Sequence, residues 1–397
     1  MIKPLSSIRV LDLTNVLAGP FCCHHLAHLG ADVIKVEATG RGDLARQLGA
    51  DAELNATGMG VSFLAQNAGK KSVTLNLKHP RGKTLFKQLV ETADVLVENF
   101  RPGVMNRLDL GYDALKDIKP ELVYCAISGF GQQGPWVARP AYDQIIQGIS
   151  GVMSITGDDA SAPLRVGYPI ADTIGGITAA FSISSALHNK PRGSYIDVSM
   201  LESVLASMGW VVSNYLNAGV EPSANGNENP TSAPSGTFQV ADGLINIAAN
   251  KDEQWELLTD ALGLSVLRER DEYATREQRK LNRLALKQEL ESVLLTRSGE
   301  EWVRRLNSIG VPCGEVLSVP DVLGMPQVAD RGFIHRYKDV PGVERDVMVS
   351  TTGIKIDEIA PSVSEPPPML GQHNAEIFMS LGLSSEELAE LSDEGVI

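Results

Sequence analysis

Residues 8–37 read IRVLDLTNVLAGPFCCHHLAHLGADVIKVE. Ile8–Thr14 is an apolar run of strand length, Phe21–Leu29 carries a helical pattern, Gly30 turns the chain, and Val33–Glu37 is a second apolar run. A strand, a helix and a strand in so short a span make a β-α-β unit, whose two strands lie parallel. The same alternation continues downstream. Strands are expected at Ser72–Leu77, Asp94–Phe100, Leu122–Ser128 and Ser194–Ser199. Helices are expected at His79–Ala93, around Met105–Ile118, from Asp172 to about His188, and at Leu201–Asn217. The fold class is therefore α/β: a Rossmann-like large domain whose mostly parallel sheet is covered on both faces, with its site at the carboxyl ends of the strands.

Composition shifts at Ala218–Gly236, where Gly, Asn, Pro and Ser dominate. Beyond it a hairpin turning at Asp242-Gly243 and helices near Glu253–Leu262, Arg276–Leu295 and Gly299–Ile309 form a smaller α+β domain. The expected organisation is a large α/β domain over 1–217, a linker over 218–236, the small domain over 237–315, a return linker over 316–345, and the rest of the large domain over 346–397. Short strands at Val347–Ile356, a crossing at Pro366–Pro368 and a helical tail complete it.

A net charge of −14 argues against nucleic acid and anionic membrane surfaces as partners, because both would repel the chain at long range. The apolar runs are too short to cross a bilayer, and no charged-then-apolar leader opens the sequence, so a cytoplasmic location is expected. Cys22, Cys23, Cys125 and Cys313 lack metal-ligand spacing and are expected as reduced thiols. His24 and His28 share a helix face, yet no second ligand pair accompanies them, and no metal is expected.

Leu164–Gly176 reads LRVGYPIADTIGG and sets Asp172 among small and apolar residues, with no basic residue within five positions. An ionised Asp172 must find partners elsewhere in the fold or among backbone N–H groups. Two interpretations stand: a nucleophilic or acid/base carboxylate, or an N-cap that starts the following helix. The turn after the first strand, Asn15-Val16-Leu17-Ala18-Gly19-Pro20, has one glycine where a dinucleotide fingerprint needs three. It can still line a ligand site or simply reverse the chain. Arg101 and Arg107 follow another strand end, where they meet phosphate or stand solvated. Lys70, Lys71, Lys78 and Arg81 form a second local basic cluster. Ser128–Pro135 (SGFGQQGP) is a glycine-rich loop at a strand end, and Tyr142-Asp143-Gln144 begins the next helix.

Taken together, LDLTNVLAGP, GADVIKVE, ENFRPG, SGFGQQGP, YDQIIQGISGVMSITG, the Asp172 segment, IDVSMLES and PPPMLGQHNAEI occur in an order that resembles the class III CoA-transferases, the family of formyl-CoA transferase and the carnitine CoA-transferases. The resemblance implies that Asp172 is the nucleophile. It implies that Val16, Ala18, Leu75, Asn99, Phe100 and Arg107 contact coenzyme A, with Leu75 near adenine and Arg107 near the phosphates. It further implies that the small domain is an insertion, that each subunit is ring-shaped, and that two subunits interlock as a homodimer. Acyl-CoA and a small carboxylic acid would be the substrates, with no tightly bound cofactor.

Several positions depart from formyl-CoA transferase. Leu17 replaces a glutamine, Ala38 an arginine, and Ser128 a lysine, while Arg41 stands near enough to replace the lost basic contact. The glycine run that acts as a lid there is absent, with Ser232–Gly236 near its place. An α-methylacyl-CoA racemase shares the fold and the aspartate, but its partner histidine falls at Tyr142, whose phenol is a poor proton carrier near neutrality. A third interpretation, CoA binding without catalysis, runs against the retained Asp172. Arg139 and Arg165 are available to a second carboxylate of the acid.

Overall fold

The computed structural model describes residues Lys3–Ile397. β1 (Arg9–Asp12), β2 (Asp32–Glu37), β3 (Lys70–Thr74), β4 (Val95–Glu98), β5 (Val123–Ser128) and β6 (Ser194–Ser199) form one parallel sheet in the order β3-β2-β1-β4-β5-β6. The strand order reverses between β1 and β4. A doubly wound sheet opens its ligand crevice at that point, outside the carboxyl ends of the two strands.

Alternate residues of these strands face opposite layers. Leu11, Leu13, Ile34, Val36 and Leu96 pack with Phe86 and Leu89 of the helix Pro80–Glu91 and with Ile377 and Phe378 near the C-terminus. That helix, Pro80–Glu91, is α2; on the other face lie α1 (Ala18–His28) and α4 (Ile170–Ala186), the latter preceded by α3 (Asp143–Ile149). α4 crosses α1 closely. A Cβ on Gly176 would come 2.5 Å from the Ala18 carbonyl oxygen, so only glycine permits this approach.

Charged side chains inside a parallel sheet are rare, and here they cluster on the α1 face. Lys35, Lys70, Asp12 and Asp43 are buried together, with the Lys70 ammonium 2.9 Å from Asp12 and the Lys35 ammonium 2.9 Å from Asp43. This explains why β3 begins at Lys70, two residues ahead of the expected strand: the lysine is an interior residue. The expected helix Met105–Ile118 is two short helices, Val104–Arg107 and Tyr112–Lys116, separated by Asp109 at φ 58°. The expected helix Leu201–Asn217 is also two, α5 (Met200–Ser207) and α6 (Gly209–Ala218), which meet at Met208.

The chain divides into two compact units. The first holds the sheet and comprises residues up to Val152, Arg165–Val220 and Pro326–Ile397; the second comprises Met153–Leu164 and Glu221–Met325. In the second, β7 (Ser235–Val240), β8 (Gly243–Ala248) and β9 (Cys313–Glu315) form an antiparallel sheet. Phe238, Ile245, Trp255, Leu290 and Trp302 fill its core. The hairpin turns at Ala241-Asp242, one residue earlier than expected, because Val240 pairs with Gly243. Met153–Leu164, expected in the large domain, joins the second unit, where the Gly226 N–H donates to the Gly157 carbonyl at 2.7 Å. In the first unit, Asn374 seals the edge of β3, accepting from the Thr74 N–H at 2.8 Å and donating to its hydroxyl at 2.8 Å.

Candidate active site

A cavity of about 340 Å³ opens at the strand-order reversal. Asn15, Val16, Leu17 and Ala18 after β1, Asn99, Phe100 and Arg101 after β4, and Ser128 and Gly129 at the end of β5 form one side. Tyr142 and Asp172 line it from α3 and α4. The two strand-end turns are stitched together: the Asn15 N–H donates to Asn99 Oδ1 and Asn99 Nδ2 donates to the Asn15 carbonyl, both at 2.9 Å.

Asp172 lies in the first turn of α4 without capping it. The cap comes from Asp143, whose Oδ1 accepts from the Ala171 N–H at 2.9 Å and the Asp172 N–H at 3.4 Å. Asp143 is buried at the start of α3, and its Oδ2 accepts from Gln147 at 2.7 Å and from Arg165 at 3.3 Å. The Asp172 carboxylate receives no hydrogen bond or ion pair among the described residues. Burial, and then the charge of Asp143, push its pKa up to about 7. The partners that an ionised Asp172 requires do not arrive from elsewhere in the fold, and the group is left poised near neutrality inside a cavity.

Of the residues expected to contact CoA, Val16, Ala18, Asn99 and Phe100 meet Asp172 around this cavity, whereas Leu75 and Arg107 stand away from its wall. Leu75 is a core residue whose N–H donates to the Glu37 carbonyl at 2.8 Å. Arg107 is exposed in a short helix after β4. Arg41 lines a different cavity, of about 560 Å³, with Met59, Gly342 and Leu370. Arg139 stacks on Trp136, its guanidinium 4.2 Å from the ring centre, and Arg165 is engaged by Asp143. Arg101 lines the Asp172 cavity and forms no ion pair among the described residues. Ser235 and Gly236, at the end of the Ser232–Gly236 segment, are strand residues of β7 paired with Ala248 and Ile247.

Two acidic residues that support the site are not evident in the sequence, Asp143 as a cap and Asp43 beneath the first turn; a third, Glu98 at the end of β4, lines a separate cavity with Tyr124 and Tyr195. Burial pushes the Glu98 carboxyl up to about 7, although the Phe100 N–H donates to it at 2.8 Å. The legible signal was the VIKVE strand itself, since Lys35 and Glu37 in a strand buried on both faces require counter-charges. His24 and His28 pack together within α1 with ring centres 4.1 Å apart and planes tilted by 48°, and burial holds both imidazoles below their ordinary pKa. No group of three metal-ligating side chains occurs among the described residues.

Residues 5–374 match the model of CoA-transferase family III. The chain is 34% identical to a succinate–glutarate CoA-transferase of Agrobacterium fabrum, covering 95% of this chain and 96% of the relative. It is 38% identical to an acetyl-CoA:oxalate CoA-transferase of Acetobacter aceti, covering 83% of this chain and 85% of the relative. A crystal structure of a CaiB/BaiF family protein from Brucella suis superposes with a TM-score of 0.83 at 35% identity, over 96% of this chain and all of the other.

Proposed function

The chain belongs to CoA-transferase family III, and from that membership we propose that it transfers CoA from an acyl-CoA to a small dicarboxylic acid through covalent intermediates on Asp172. The observation that carries this reading is the unpartnered Asp172 carboxylate in a cavity walled by the turns after β1 and β4. One Asp172 oxygen attacks the thioester carbonyl, and the C–S bond breaks to give a mixed anhydride and CoA thiolate. The thiolate then attacks the aspartyl carbonyl, releasing the donor acid and leaving an enzyme thioester. The acceptor carboxylate attacks that thioester, forming a second anhydride and thiolate. Attack of the thiolate on the acceptor's acyl carbon yields the new acyl-CoA and restores Asp172.

The first N–H groups of α1, those of Leu17 and Ala18, are the oxyanion donors in this scheme. That of Val16 is already given to Asp43 Oδ1 at 2.9 Å. Coenzyme A runs past Val16, Ala18, Asn99 and Phe100, with Leu75 and Arg107 reached by its nucleotide end. Arg101 receives the second carboxylate of the acid. Glutarate and oxalate, named for the two relatives, set the class of acceptor. The acting form is an interlocked homodimer. Its support is α6, which buries no residue although it carries Trp210, Val211, Val212 and Leu216. The cytoplasm is its compartment, in keeping with four free cysteines and with helices none of which is long and apolar enough to cross a membrane among the described residues.

Succinyl-CoA and hydroxylamine test the nucleophile. Wild type should yield a hydroxamate at Asp172 by mass, and Asp172→Ala should lose transfer while still binding CoA. Transfer at the wild-type rate by the alanine variant would reject the assignment.

A further inference from the structure

Val16 adopts φ 67°. For a β-branched residue this left-handed conformation is strained, and it persists only where surrounding structure imposes it. Glycine would adopt it freely, but valine keeps a side chain in the wall of the Asp172 cavity. The turn is gripped on all sides by buried groups. Asp43 Oδ1 accepts from the Val16 N–H at 2.9 Å, the Lys35 ammonium donates to the Thr14 carbonyl at 2.8 Å, and the Lys70 ammonium donates to the Pro20 carbonyl at 3.0 Å.

Asp43 is itself over-determined. Its Oδ1 also accepts from the Ala45 N–H at 2.9 Å, Lys35 lies 2.9 Å from its Oδ2, and its own N–H donates to Glu37 Oε2 at 2.9 Å. Glu37 is held in turn by a bidentate Arg46, with both bonds at 2.7 Å, and by the Ser72 hydroxyl at 2.7 Å. Burial raises the Asp43 carboxyl, but Lys35 and the two N–H donors outweigh it and hold the group below its ordinary range. Asp43 therefore stays ionised through neutral pH and acts as a fixed anchor.

We propose that Asp43 is a positioning residue for CoA transfer: it holds Val16 in the left-handed conformation that sets the Leu17 and Ala18 N–H groups at the Asp172 cavity. The Lys35 ammonium and the Glu37–Arg46 pair are its support. The proposal rests on the CoA-transfer reading and extends it to a residue that touches no substrate.

The test uses the full-length protein with succinyl-CoA and glutarate. Asp43→Ala should lower kcat by about tenfold or more, while far-UV circular dichroism and sedimentation match wild type. Adding Val16→Gly to that variant should recover most of the loss in kcat, because glycine reaches the conformation without the anchor, while KM for succinyl-CoA rises because the Val16 side chain is gone from the cavity wall. A merely structural Asp43 predicts no such recovery. If Asp43→Ala does not fold, Asp43→Asn is measured with and without Val16→Gly and judged by the same two criteria. A kcat within about twofold of wild type, or a loss that Val16→Gly leaves unchanged, would overturn the proposal. A wild type inert with every acyl-CoA and acid tried would instead reject the transfer reading, so the two failures are distinguishable.

Discussion

Asp143 both caps and charges the helix that carries Asp172. Its Oδ1 accepts from the Ala171 and Asp172 N–H groups at 2.9 and 3.4 Å, and its negative charge adds to burial in raising the Asp172 carboxyl to about 7. One buried side chain thus fixes where the nucleophile stands and how readily it ionises. A carboxylate that is poorly solvated in the resting site is a stronger nucleophile once ionised, and a thioester attack needs that form.

The acid limb of the pH profile should report this pair. Attack requires ionised Asp172, so kcat/KM for acyl-CoA should rise with pH through about 7. Asp143→Asn keeps an acceptor for the two N–H groups and removes the charge, so the limb should move down by about one pH unit. An unmoved limb would show that the charge of Asp143 does not reach Asp172.

Stability should carry the same signature with the opposite benefit. The Asp172 carboxyl has a folded pKa of about 7 against 3.8 unfolded, so between these values the folded chain keeps a proton that the unfolded chain has lost. Stability attributable to this group therefore falls as pH rises through that window and levels off above it. Asp172→Asn should be nearly neutral near pH 4 and stabilising above pH 7, by on the order of a few kcal/mol. Glu98 titrates in the same range, but it is common to both proteins and drops out of the difference. Denaturant unfolding of the two proteins across pH is the measurement, and a pH-independent difference would contradict the reasoning.

Arg101 should separate dicarboxylic from monocarboxylic acceptors. With acetyl-CoA as donor, which has no free carboxylate on its acyl group, Arg101→Ala is expected to raise KM for glutarate by about tenfold or more while KM for acetyl-CoA changes by less than about threefold. Acetate, with one carboxylate, should lose little. A loss falling on acetyl-CoA alone would assign the guanidinium to a CoA phosphate.

The uncovered face of α6 should be the seat of assembly. Trp210 is 84% exposed and Leu216 72% exposed in the single chain, which is a costly surface to leave in water. Wild type should sediment as a dimer down to nanomolar concentration, and Trp210→Asp together with Leu216→Asp should yield monomer or misfolded protein without transfer activity. A folded, active wild-type monomer would refute the interlocked form.

Local pattern determined much of this protein. Apolar runs of strand length separated by helical periodicity specify a parallel α/β sheet, because each strand must bury both faces and each crossover must be long enough to return the chain. Asp172 was conspicuous for a similar reason, being a carboxylate among small apolar residues with no cation near it in sequence. The helix breaks at Asp109 and Met208 were not legible, since they depend on positive or irregular backbone angles that propensity does not encode. Nor was the role of Asp143, which lies 29 positions from Asp172 and meets it only when α3 abuts the start of α4. Lys35 and Glu37 stand out within the apolar VIKVE strand, but their partners Asp12, Lys70, Asp43 and Arg46 look in sequence like ordinary surface charge. Tertiary structure alone buries them together, where the cost of dehydrating each charge is offset by the others and the turn that faces Asp172 is held in a conformation that valine would not adopt unaided.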